Sequence, residues 1–245
     1  MNIVAIIQAR LGSTRFPGKV FAPLVGKPLI WHIINRLKNS TKLTNTVLAT
    51  TINPIDDELE KWAKNEEITM YRGSENNVLE RFYFAAKENK ADIIVRITAD
   101  DPFKDPQIID EVIEKILNEK LDFASNNNPP SFPEGLDTEV FTFSALEKAY
   151  VESKSDFEKE HVTQYFYRHP DLFKQSNLSY HRNIAHFRWT IDTKIDYDMA
   201  CIVYEKLYKD NEIFYMQDIL DLLENFPEIQ KMNAEVERSA MYKNT

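Results

Sequence analysis

Short apolar runs alternate with amphipathic stretches over the first hundred residues of the chain. Compact apolar runs predict buried strands, and stretches with apolar residues at every third or fourth position predict helices. The predicted strands are Ile3–Ala9, Thr46–Thr51, Ile68–Arg72 and Asp92–Thr98. The predicted helices are Leu29–Lys38, Asp56–Asn65, Glu75–Lys87 and a fourth that begins after the cap Asp105-Pro106 and runs to about Asn118. This alternation is typical of βαβ units and a parallel sheet, so we expect an α/β fold.

The pattern is less regular in the second half of the chain. Asn126–Gly135 contains three asparagines, three prolines and a glycine, which predicts a loop. Thr138–Phe143 alternates as a strand does, and Ser144 with Glu147 predicts a capping box for a following helix. The remaining predictions are a helix at Phe157–Tyr167, strands near Ser176–Tyr180 and Phe187–Ile191, and helices near Tyr197–Tyr208 and Gln217–Asn225. We expect one domain over residues 1–230 and a polar C-terminal tail over 231–245.

Composition narrows the classes of function. The chain has 245 residues and a formal net charge of -9, whereas proteins that bind nucleic acid broadly carry a clustered basic surface. No nucleic-acid partner is therefore expected. The single cysteine, Cys201, excludes an intrachain disulfide and a multi-thiolate zinc site. The apolar start Ile3–Ile7 is too short to span a bilayer, so we expect no membrane partner and a cytoplasmic protein.

The first predicted strand runs into Arg10-Leu11-Gly12-Ser13-Thr14-Arg15-Phe16-Pro17-Gly18-Lys19, which we call the basic loop. Glycine lets backbone N–H groups approach an anion closely. An arginine can donate two parallel hydrogen bonds to phosphate oxygens, and a lysine adds a compact positive charge. In an acidic protein this concentration of cations predicts a polyphosphate ligand. The loop is not a P-loop, because five residues separate Gly12 from Gly18 and Val20 follows Lys19. The alternative is a solvated turn whose cations pair with neighbouring carboxylates.

Two aspartates follow other predicted strands. Asp100 follows the fourth strand, which neighbours the first at the topological switch point of a sheet ordered 3-2-1-4. The basic loop and Asp100 should then face each other across one crevice. Asp192 follows the strand predicted at Phe187–Ile191 and can supply a second carboxylate to a magnesium ion shared with substrate phosphates. The alternative for Asp192 is a helix N-cap, a role for which Asp196 competes.

These segments resemble those of the cytidylyltransferase superfamily that activates acidic sugars, and in particular the spore coat polysaccharide biosynthesis protein F family. The opening signature of the superfamily, roughly I-x-A-R-x-x-S-x-R-x-P-x-K, is matched by Ile7-Gln8-Ala9-Arg10, Ser13, Arg15, Pro17 and Lys19. Further similar blocks are Gly26–Leu29, Arg72–Arg81, Arg96–Pro102, Gly135–Val140, Glu160–Thr163 and Trp189–Thr193. The resemblance covers roughly residues 1 to 210. Asn76-Asn77 replaces positions that are commonly acidic or small, so the choice of base stays open.

The resemblance implies a Rossmann-like nucleotide-diphospho-sugar transferase fold, with a mixed, mostly parallel sheet and helices on both faces. It also implies Mg²⁺ as cofactor, CTP and a sugar or sugar acid as substrates, and release of pyrophosphate. By the same resemblance, the nucleotide-binding residues are Gln8, Ala9, Arg10, Gly12, Ser13, Arg15, Lys19, Arg72, Ser74 and Arg81. The implied catalytic residues are Arg10, Arg15, Lys19 and Asp100, and the implied metal ligands are Asp100 and Asp192. The acceptor residues expected are Asp137, Glu139, His161 and Arg188.

The sequence leaves the identity of the acceptor substrate open. His161, His181, Arg182 and Arg188 can bind an acceptor carboxylate or phosphate, and acidic sugars, sugar phosphates and phosphorylated polyols all remain candidates. The loop Asn126–Gly135 is either a lid or a surface excursion. Phe214 and Tyr215 are expected to be exposed and are candidates for a homodimer contact. Two other functions compete with nucleotidyl transfer: a glycosyltransferase that uses a nucleotide sugar, and a non-catalytic nucleotide-binding module.

Overall fold

The computed structural model describes residues 1–13 and 15–237, within which it places nine strands and ten α-helices. The strands are β1 (Ile3–Gln8), β2 (Pro23–Leu24), β3 (Lys27–Pro28), β4 (Asn45–Thr51), β5 (Thr69–Gly73), β6 (Ile93–Thr98), β7 (Phe123–Ser125), β8 (Glu139–Thr142) and β9 (Gln175–Asn177). The helices are α1 (Leu29–Leu37), α2 (Asp57–Asn65), α3 (Val78–Glu88), α4 (Pro106–Glu119), α5 (Phe143–Glu152), α6 (Asp156–Glu160), α7 (Gln164–Arg168), α8 (Lys194–Leu207), α9 (Met216–Asn225) and α10 (Pro227–Lys231).

Seven strands form one mixed sheet in the order β5-β4-β1-β6-β8-β7-β9. The first four of these pair in parallel, which confirms the order 3-2-1-4 expected from the sequence. Strand β8 is antiparallel to both of its neighbours, and β7 and β9 are parallel. The carboxyl ends of β1 and β6 therefore lie side by side, with Gln8 paired to Thr98 in the register.

Both faces of the sheet are covered by helices. Along β1, Ile3, Ala5 and Ile7 pack into one core cluster, while Val4 and Ile6 pack into the other. Side chains of successive strand residues point to opposite faces, so a strand buried on both sides is apolar at nearly every position. Helices α1, α2, α4, α8, α9 and α10 contribute to the first cluster, and α3, α5 and α7 contribute to the second. The α/β fold class is thereby confirmed.

Two predictions about helices are wrong. The N-cap of α5 is Thr142, whose hydroxyl accepts from the N–H of Ala145 at 3.2 Å, because β8 runs directly into the helix before Ser144 is reached. The single helix expected over Phe157–Tyr167 is two short helices, α6 and α7. The chain turns between them, where Val162 has a φ of 49°. The N-cap predicted at Asp105 is confirmed, since its side chain accepts from the N–H of Gln107 at 2.9 Å.

The strand predicted at Phe187–Ile191 is also wrong. Only an isolated bridge between Arg188 and Glu134 is present there. The segment is hydrogen-bonded to the loop Asn126–Gly135 instead: the N–H of Glu134 donates to the carbonyl of Phe187 at 3.0 Å, and the N–H of Trp189 donates to the carbonyl of Glu134 at 2.8 Å. The loop is thus anchored over its second part, and its exposed portion is 128–130.

Three further features differ from what the sequence indicated. Phe214 is buried against Phe103 and Tyr204, so the expectation that it is exposed for a dimer contact is wrong. Strand β7 was not predicted, because three residues are too few to show an alternating pattern. Asn233, in the stretch assigned to the tail, is buried and donates to the carbonyl of Arg188 at 3.0 Å; residues 238–245 lie outside the described residues. Among the residues that are described, no helix is long and apolar enough to cross a membrane.

Candidate active site

A cleft with two lobes opens at the carboxyl ends of β1 and β6. The large lobe has a volume of about 790 Å³, and the small lobe about 220 Å³. The large lobe is lined by Gln8, Ala9, Arg10, Arg15, Ser74, Glu75, Asn76, Asn77, Val78, Arg81, Arg96, Asp156, Lys159, Glu160 and His161. The small lobe is lined by Gln8, Arg15, Arg96, Thr98, Asp100, Asp101, Lys104, Asn127, Glu134, Gly135, Asp137, Glu139, His161, Thr190 and Asp192. The lobes share Gln8, Arg15, Arg96 and His161, so they form one continuous site.

The basic loop leaves β1 and forms one wall of this cleft. Its start is fixed by Asp56, a buried carboxylate that accepts from the N–H of Leu11 at 2.8 Å and also from the hydroxyl of Thr51. Arg10 and Arg15 extend from the loop into the large lobe with about half of each side chain exposed. At the far end Gly18 has a φ of 70°, a conformation that glycine adopts at little cost, and it begins the short 3₁₀ turn that carries Lys19.

Lys19 is the point where the two predicted metal ligands meet. Its ammonium donates to Asp100 Oδ2 at 3.0 Å, to Asp192 Oδ1 at 3.2 Å and to the carbonyl of Ile191 at 2.7 Å. The side chain of Lys19 is only 11% exposed. Residues separated by 81 and 173 positions in the chain are therefore brought into one ion cluster, as the crevice predicted from the sheet order requires.

The ionised forms of this cluster stabilise one another. Burial lowers the pKa of Lys19, but the charges of Asp100 and Asp192 outweigh that effect and hold its pKa above the ordinary value. Burial likewise raises the pKa of Asp100, but the adjacent Lys19 ammonium outweighs it, so the pKa of Asp100 lies below the ordinary value. At neutral pH the site therefore presents a lysine cation between two carboxylates.

A second ion cluster lies behind the first. Arg188 is buried and donates to Glu134 at 2.9 Å, to Asp192 at 2.9 Å and to Asp196 at 2.9 Å. Burial lowers the pKa of Arg188, and these three carboxylates together raise it above the ordinary value. Asp192 also accepts from Arg15 at 2.8 Å, so Asp192 joins the two clusters.

The N-cap alternative for Asp192 is resolved by the start of α8. Thr193 is the cap, and Asp196 completes a capping box by accepting from the N–H of Thr193 at 2.9 Å. Asp192 therefore does not cap this helix. Its carboxylate is directed toward Lys19 and Arg15 at the cleft.

Arg81, at the back of the large lobe, has an incompletely satisfied guanidinium. The residue is 3% exposed; one terminal nitrogen donates to the carbonyl of Ser74 at 2.6 Å, while Nε has no hydrogen-bond partner among the described residues. Burial lowers the pKa of Arg81 to about 10, and the charge of Arg10 contributes to the shift. A buried polar group without a hydrogen-bond partner is energetically costly.

Comparison with known proteins identifies the family to which this architecture belongs. The profile of a family described as cytidylyltransferase matches residues 4–237 of the chain. The chain is a member of the cytidylyltransferase family. The resemblance to cytidylyltransferases inferred from the sequence motifs is thereby confirmed. The nucleotide-diphospho-sugar transferase fold that it implies is confirmed as well.

Three relatives define the extent of the similarity. The spore coat polysaccharide biosynthesis protein SpsF of Bacillus subtilis (strain 168) is 34% identical over 212 residues, which cover 84% of this cytidylyltransferase and 87% of that protein. The structure of a cytidylyltransferase from Leptospira borgpetersenii serovar Hardjo-bovis (strain JB197) has a TM-score of 0.90 at 32% identity and covers 97% of this chain and 100% of that one. The 3-deoxy-manno-octulosonate cytidylyltransferase of Trichlorobacter lovleyi (strain ATCC BAA-1151 / DSM 17278 / SZ) is 38% identical over 117 residues, 48% of this chain and 46% of that protein.

Most residues singled out from the sequence lie at the cleft of this cytidylyltransferase. Those in the lining of either lobe are Gln8, Ala9, Arg10, Arg15, Ser74, Arg81, Asp100, Asp137, Glu139, His161 and Asp192. Gly12 and Ser13 belong to the basic loop but not to the lining, and Lys19 lies beneath the floor, bound to Asp100 and Asp192.

Two predicted arginines are bound to other groups of the protein. Arg72 forms ion pairs with Asp57 and Glu60 at 2.7 and 2.5 Å, outside both lobes. Arg188 is held in the buried cluster described above and does not line the acceptor side. His181 and Arg182 are exposed and lie outside both lobes.

Arg96 begins the block Arg96–Pro102 recognised in the sequence, but it was not among the predicted site residues. It lies on β6 between buried Val95 and Ile97, lines both lobes, donates to Glu139 at 2.5 Å and contacts Gln8 at 3.2 Å. A charged residue among the apolar residues of β6 is the signal that could have identified it, because a buried charge is costly unless it is paired or faces a cleft.

Proposed function

We propose that this cytidylyltransferase binds CTP in the large lobe and transfers the cytidylyl group to a hydroxyl of a sugar in the small lobe, releasing pyrophosphate. The observation that carries the proposal is the junction of the two lobes, where Arg15 and Arg96 line both spaces beside Asp100 and Asp192. The volume of the large lobe lies in the range typical of small-ligand sites. Two substrates bound in lobes that share a wall are held close enough to react.

The charges of the large lobe suit a nucleotide. Five cationic side chains line it against three carboxylates. Arg10 and Arg15 extend from the basic loop and can each make paired hydrogen bonds to phosphate oxygens. The guanidinium of Arg81 also lines this lobe and can donate to a carbonyl oxygen of the base or to a ribose hydroxyl.

The donor set at the junction fits a magnesium ion. Asp100 and Asp192 both line the small lobe at the junction, so their carboxylates could hold the ion together with substrate oxygens. Magnesium in phosphate-transfer sites is commonly held by one or two carboxylates together with substrate phosphates. The remaining ligands of such an ion would come from the nucleotide and water. When bound there, the ion would polarise the α-phosphate and lower the pKa of the acceptor hydroxyl.

The residues of the chain then act by position and charge. The acceptor hydroxyl attacks the α-phosphorus from the small lobe, and pyrophosphate leaves on the opposite side, toward the basic loop. Arg10 and Arg15 offset the negative charge that develops on the leaving pyrophosphate. Loss of one such donor typically lowers the rate by about 10²–10³-fold.

The first experiment measures pyrophosphate release from CTP and Mg²⁺ over a panel of sugars. With an acceptor in place, Asp100→Asn should reduce turnover by at least about 10²-fold, because it removes one carboxylate charge from the junction. Asp171→Asn, which changes an exposed aspartate outside both lobes, is the matched control and should retain full activity. An Asp100→Asn enzyme with wild-type turnover would remove Asp100 from the mechanism.

The nucleotide is tested separately by isothermal titration calorimetry with CTP, UTP, ATP and GTP in the presence of Mg²⁺. CTP should bind most tightly, and Arg81→Met should weaken CTP binding about tenfold or more, since the hydrogen bonds of a buried charged donor are lost. Arg182→Met alters an exposed arginine outside the cleft and should leave the affinity unchanged. Tighter binding of another nucleotide would contradict the choice of CTP.

The sequence relatives do not decide the class of acceptor. The match with the 3-deoxy-manno-octulosonate enzyme, whose name specifies a sugar acid, spans less than half of either chain. The match with the spore coat protein spans most of both chains, but the name of that protein specifies no acceptor. The panel of sugars in the first experiment therefore decides the class of acceptor.

A further inference from the structure

Three cations hold the carboxylate of Asp192 at the junction of the lobes. Lys19 donates to its Oδ1 at 3.2 Å, and Arg15 pairs with the same oxygen at 2.8 Å. Arg188 donates to its Oδ2 at 2.9 Å. Asp192 is also one of the two proposed magnesium ligands. Because cations close to one carboxylate oxygen repel each other, a metal ion that binds Asp192 from the lobes must displace one of the three.

The three cations differ in how firmly they are held. The side chain of Arg188 is buried and bound to three carboxylates, and the side chain of Lys19 is 11% exposed and also bound to Asp100. The side chain of Arg15 is 54% exposed, and within the described part of the chain Asp192 is its only ion-pair partner. An ion pair with an exposed partner contributes little stability. Arg15 is therefore the cation that is displaced most easily.

Arg15 reaches Asp192 from the substrate side of the cleft. Arg15 lines both lobes, whereas Lys19 and Arg188 line neither. The guanidinium of Arg15 and the ammonium of Lys19 thus approach Asp192 Oδ1 from different sides. Arg15 covers the side of the carboxylate that faces the lobes, and a metal ion shared with substrate phosphates would bind on that same side.

A nucleotide in the large lobe offers Arg15 a second partner. Arg10 and Arg15 both extend into that lobe, and each guanidinium can make paired hydrogen bonds to phosphate oxygens. A triphosphate carries more negative charge than one carboxylate and has more oxygens that accept hydrogen bonds. Because Arg15 lines both lobes, a change of side-chain rotamer can move its guanidinium from Asp192 to a phosphate.

We propose that Arg15 couples metal binding to nucleotide binding. Its ion pair with Asp192 blocks the metal site, and the nucleotide phosphates draw Arg15 away from Asp192 and open that site. This inference rests on the proposed function for the identity of the nucleotide lobe and of Asp192 as a metal ligand. Arg10 does not share the role, since its partner is Glu75 at 3.9 Å. The coupling through Arg15 adds to the direct contact between metal and phosphates, so each ligand must be measured alone.

The first test measures the binding of Mn²⁺, a paramagnetic substitute for Mg²⁺, without nucleotide. The electron paramagnetic resonance signal of free Mn²⁺ gives the dissociation constant. Arg15→Met should bind Mn²⁺ at least about fivefold more tightly than wild type, because the lobe side of Asp192 is then open. Arg10→Met is the matched control, since it removes a half-exposed arginine of the same loop. It should change the dissociation constant by less than about twofold, because its charge is not bound to Asp192 and is screened by salt.

A double-mutant cycle shows whether Asp192 carries the effect. In an Asp192→Asn background, Arg15→Met should change Mn²⁺ affinity no more than Arg10→Met does, because the ion pair is already lost. Equal Mn²⁺ affinity of Arg15→Met and wild type would overturn the inference, and so would an equal gain with and without Asp192→Asn. If Asp192→Asn does not fold, the comparison of Arg15→Met with Arg10→Met decides, because both arginines are half exposed.

The reciprocal test measures CTP binding by isothermal titration calorimetry in EDTA. Metal-free CTP must break the ion pair between Arg15 and Asp192, so Asp192→Asn should bind it about threefold or more tightly than wild type. In an Arg15→Met background, Asp192→Asn should give a clearly smaller gain. An equal gain in both backgrounds would show that the charge of Asp192 acts without Arg15, which would contradict the coupling. With Mg²⁺ present, Asp192→Asn should bind CTP less tightly than wild type, because a metal ligand is lost.

The two proposals fail in distinguishable ways. If CTP binds neither with nor without Mg²⁺, the proposed function is wrong, whatever the Mn²⁺ affinities are. If CTP binds and Arg15→Met has the Mn²⁺ affinity of wild type, the proposed function stands and the coupling through Arg15 is wrong.

Discussion

Replacing Lys19 by methionine removes the one cation shared by the two carboxylates at the lobe junction. The ammonium lies 3.0 Å from Asp100 and 3.2 Å from Asp192. At an effective dielectric constant of 20, each pair contributes about 5 kcal/mol of attraction, and the cost of removing a lysine ammonium from water offsets several kcal/mol of the total. Removing one partner of a buried ion pair typically lowers the free energy of unfolding by about 3–5 kcal/mol.

The loss in free energy of unfolding that we expect for Lys19→Met is smaller than that range. The side chain of Asp100 is 28% exposed, so water can hydrate its carboxylate once the ammonium is gone. Asp192 keeps its contacts with Arg15 and Arg188. We therefore expect the free energy of unfolding to fall by about 2–3 kcal/mol at pH 7. The measurement is urea denaturation in the presence of EDTA, followed by circular dichroism.

The effect should depend on pH with a defined sign. The pKa of Asp100 is lowered in the folded wild-type protein, so its ion pair stabilises the fold above the ordinary carboxylate pKa and loses that contribution as the pH falls through the lowered value. The difference in stability between wild type and Lys19→Met should accordingly be largest near neutral pH and shrink in acid.

Lys42→Met is the matched control for this experiment. Lys42 pairs with Glu114 at 2.8 Å, but both side chains are at least 36% exposed, so the free energy of unfolding should change little. If Lys19→Met is as stable as the control at pH 7, the buried ion cluster does not stabilise the fold as argued. If its destabilisation grows in acid, the assigned ionisation states are wrong.

Three further substitutions follow from the structure. Gly135→Ala should lower stability by about 1–3 kcal/mol and reduce turnover more than CTP affinity, because Gly135 has a φ of 102° and an added Cβ would lie 2.7 Å from the backbone of Trp189. Asp56→Asn should raise the KM for CTP several-fold with a stability loss of about 1–3 kcal/mol, because the amide weakens the bond that fixes the N–H of Leu11 at the start of the basic loop. Arg188→Met should lower the free energy of unfolding by about 3–5 kcal/mol, because it leaves three buried carboxylates without their shared cation.

The two substitutions that remove a charge each have a control and a contrary result. Arg182→Met and Asp171→Asn change exposed residues of the same types and should match wild type in thermal unfolding. Wild-type stability of Arg188→Met together with a raised KM for the acceptor would show that Arg188 binds substrate rather than supporting the fold. Unchanged KM for CTP in Asp56→Asn would show that the loop is positioned by other contacts.

Local patterns in the sequence determined the elements of the core, and the fold class that they indicate supplied the expected order of the first four strands. The nearly continuous apolar runs of β1 and β6 reflect burial on both faces of a sheet, and this requirement is visible from neighbouring residues alone. The N-cap at Asp105 could also be predicted from neighbouring residues, because its side chain accepts from the N–H of Gln107. The basic loop and the two aspartates at predicted strand ends were recognisable because their chemistry is concentrated in short segments.

Only the tertiary structure decided which ion-pair partner each of these charged residues has. Lys19 finds its partners 81 and 173 residues away, and Arg188 is held by Glu134 at a separation of 54 residues. The two lobes are likewise lined by segments that are distant in the chain. Sequence periodicity reports burial, because burial is set by the local element; it does not report ion-pair partners, because those depend on how the elements pack.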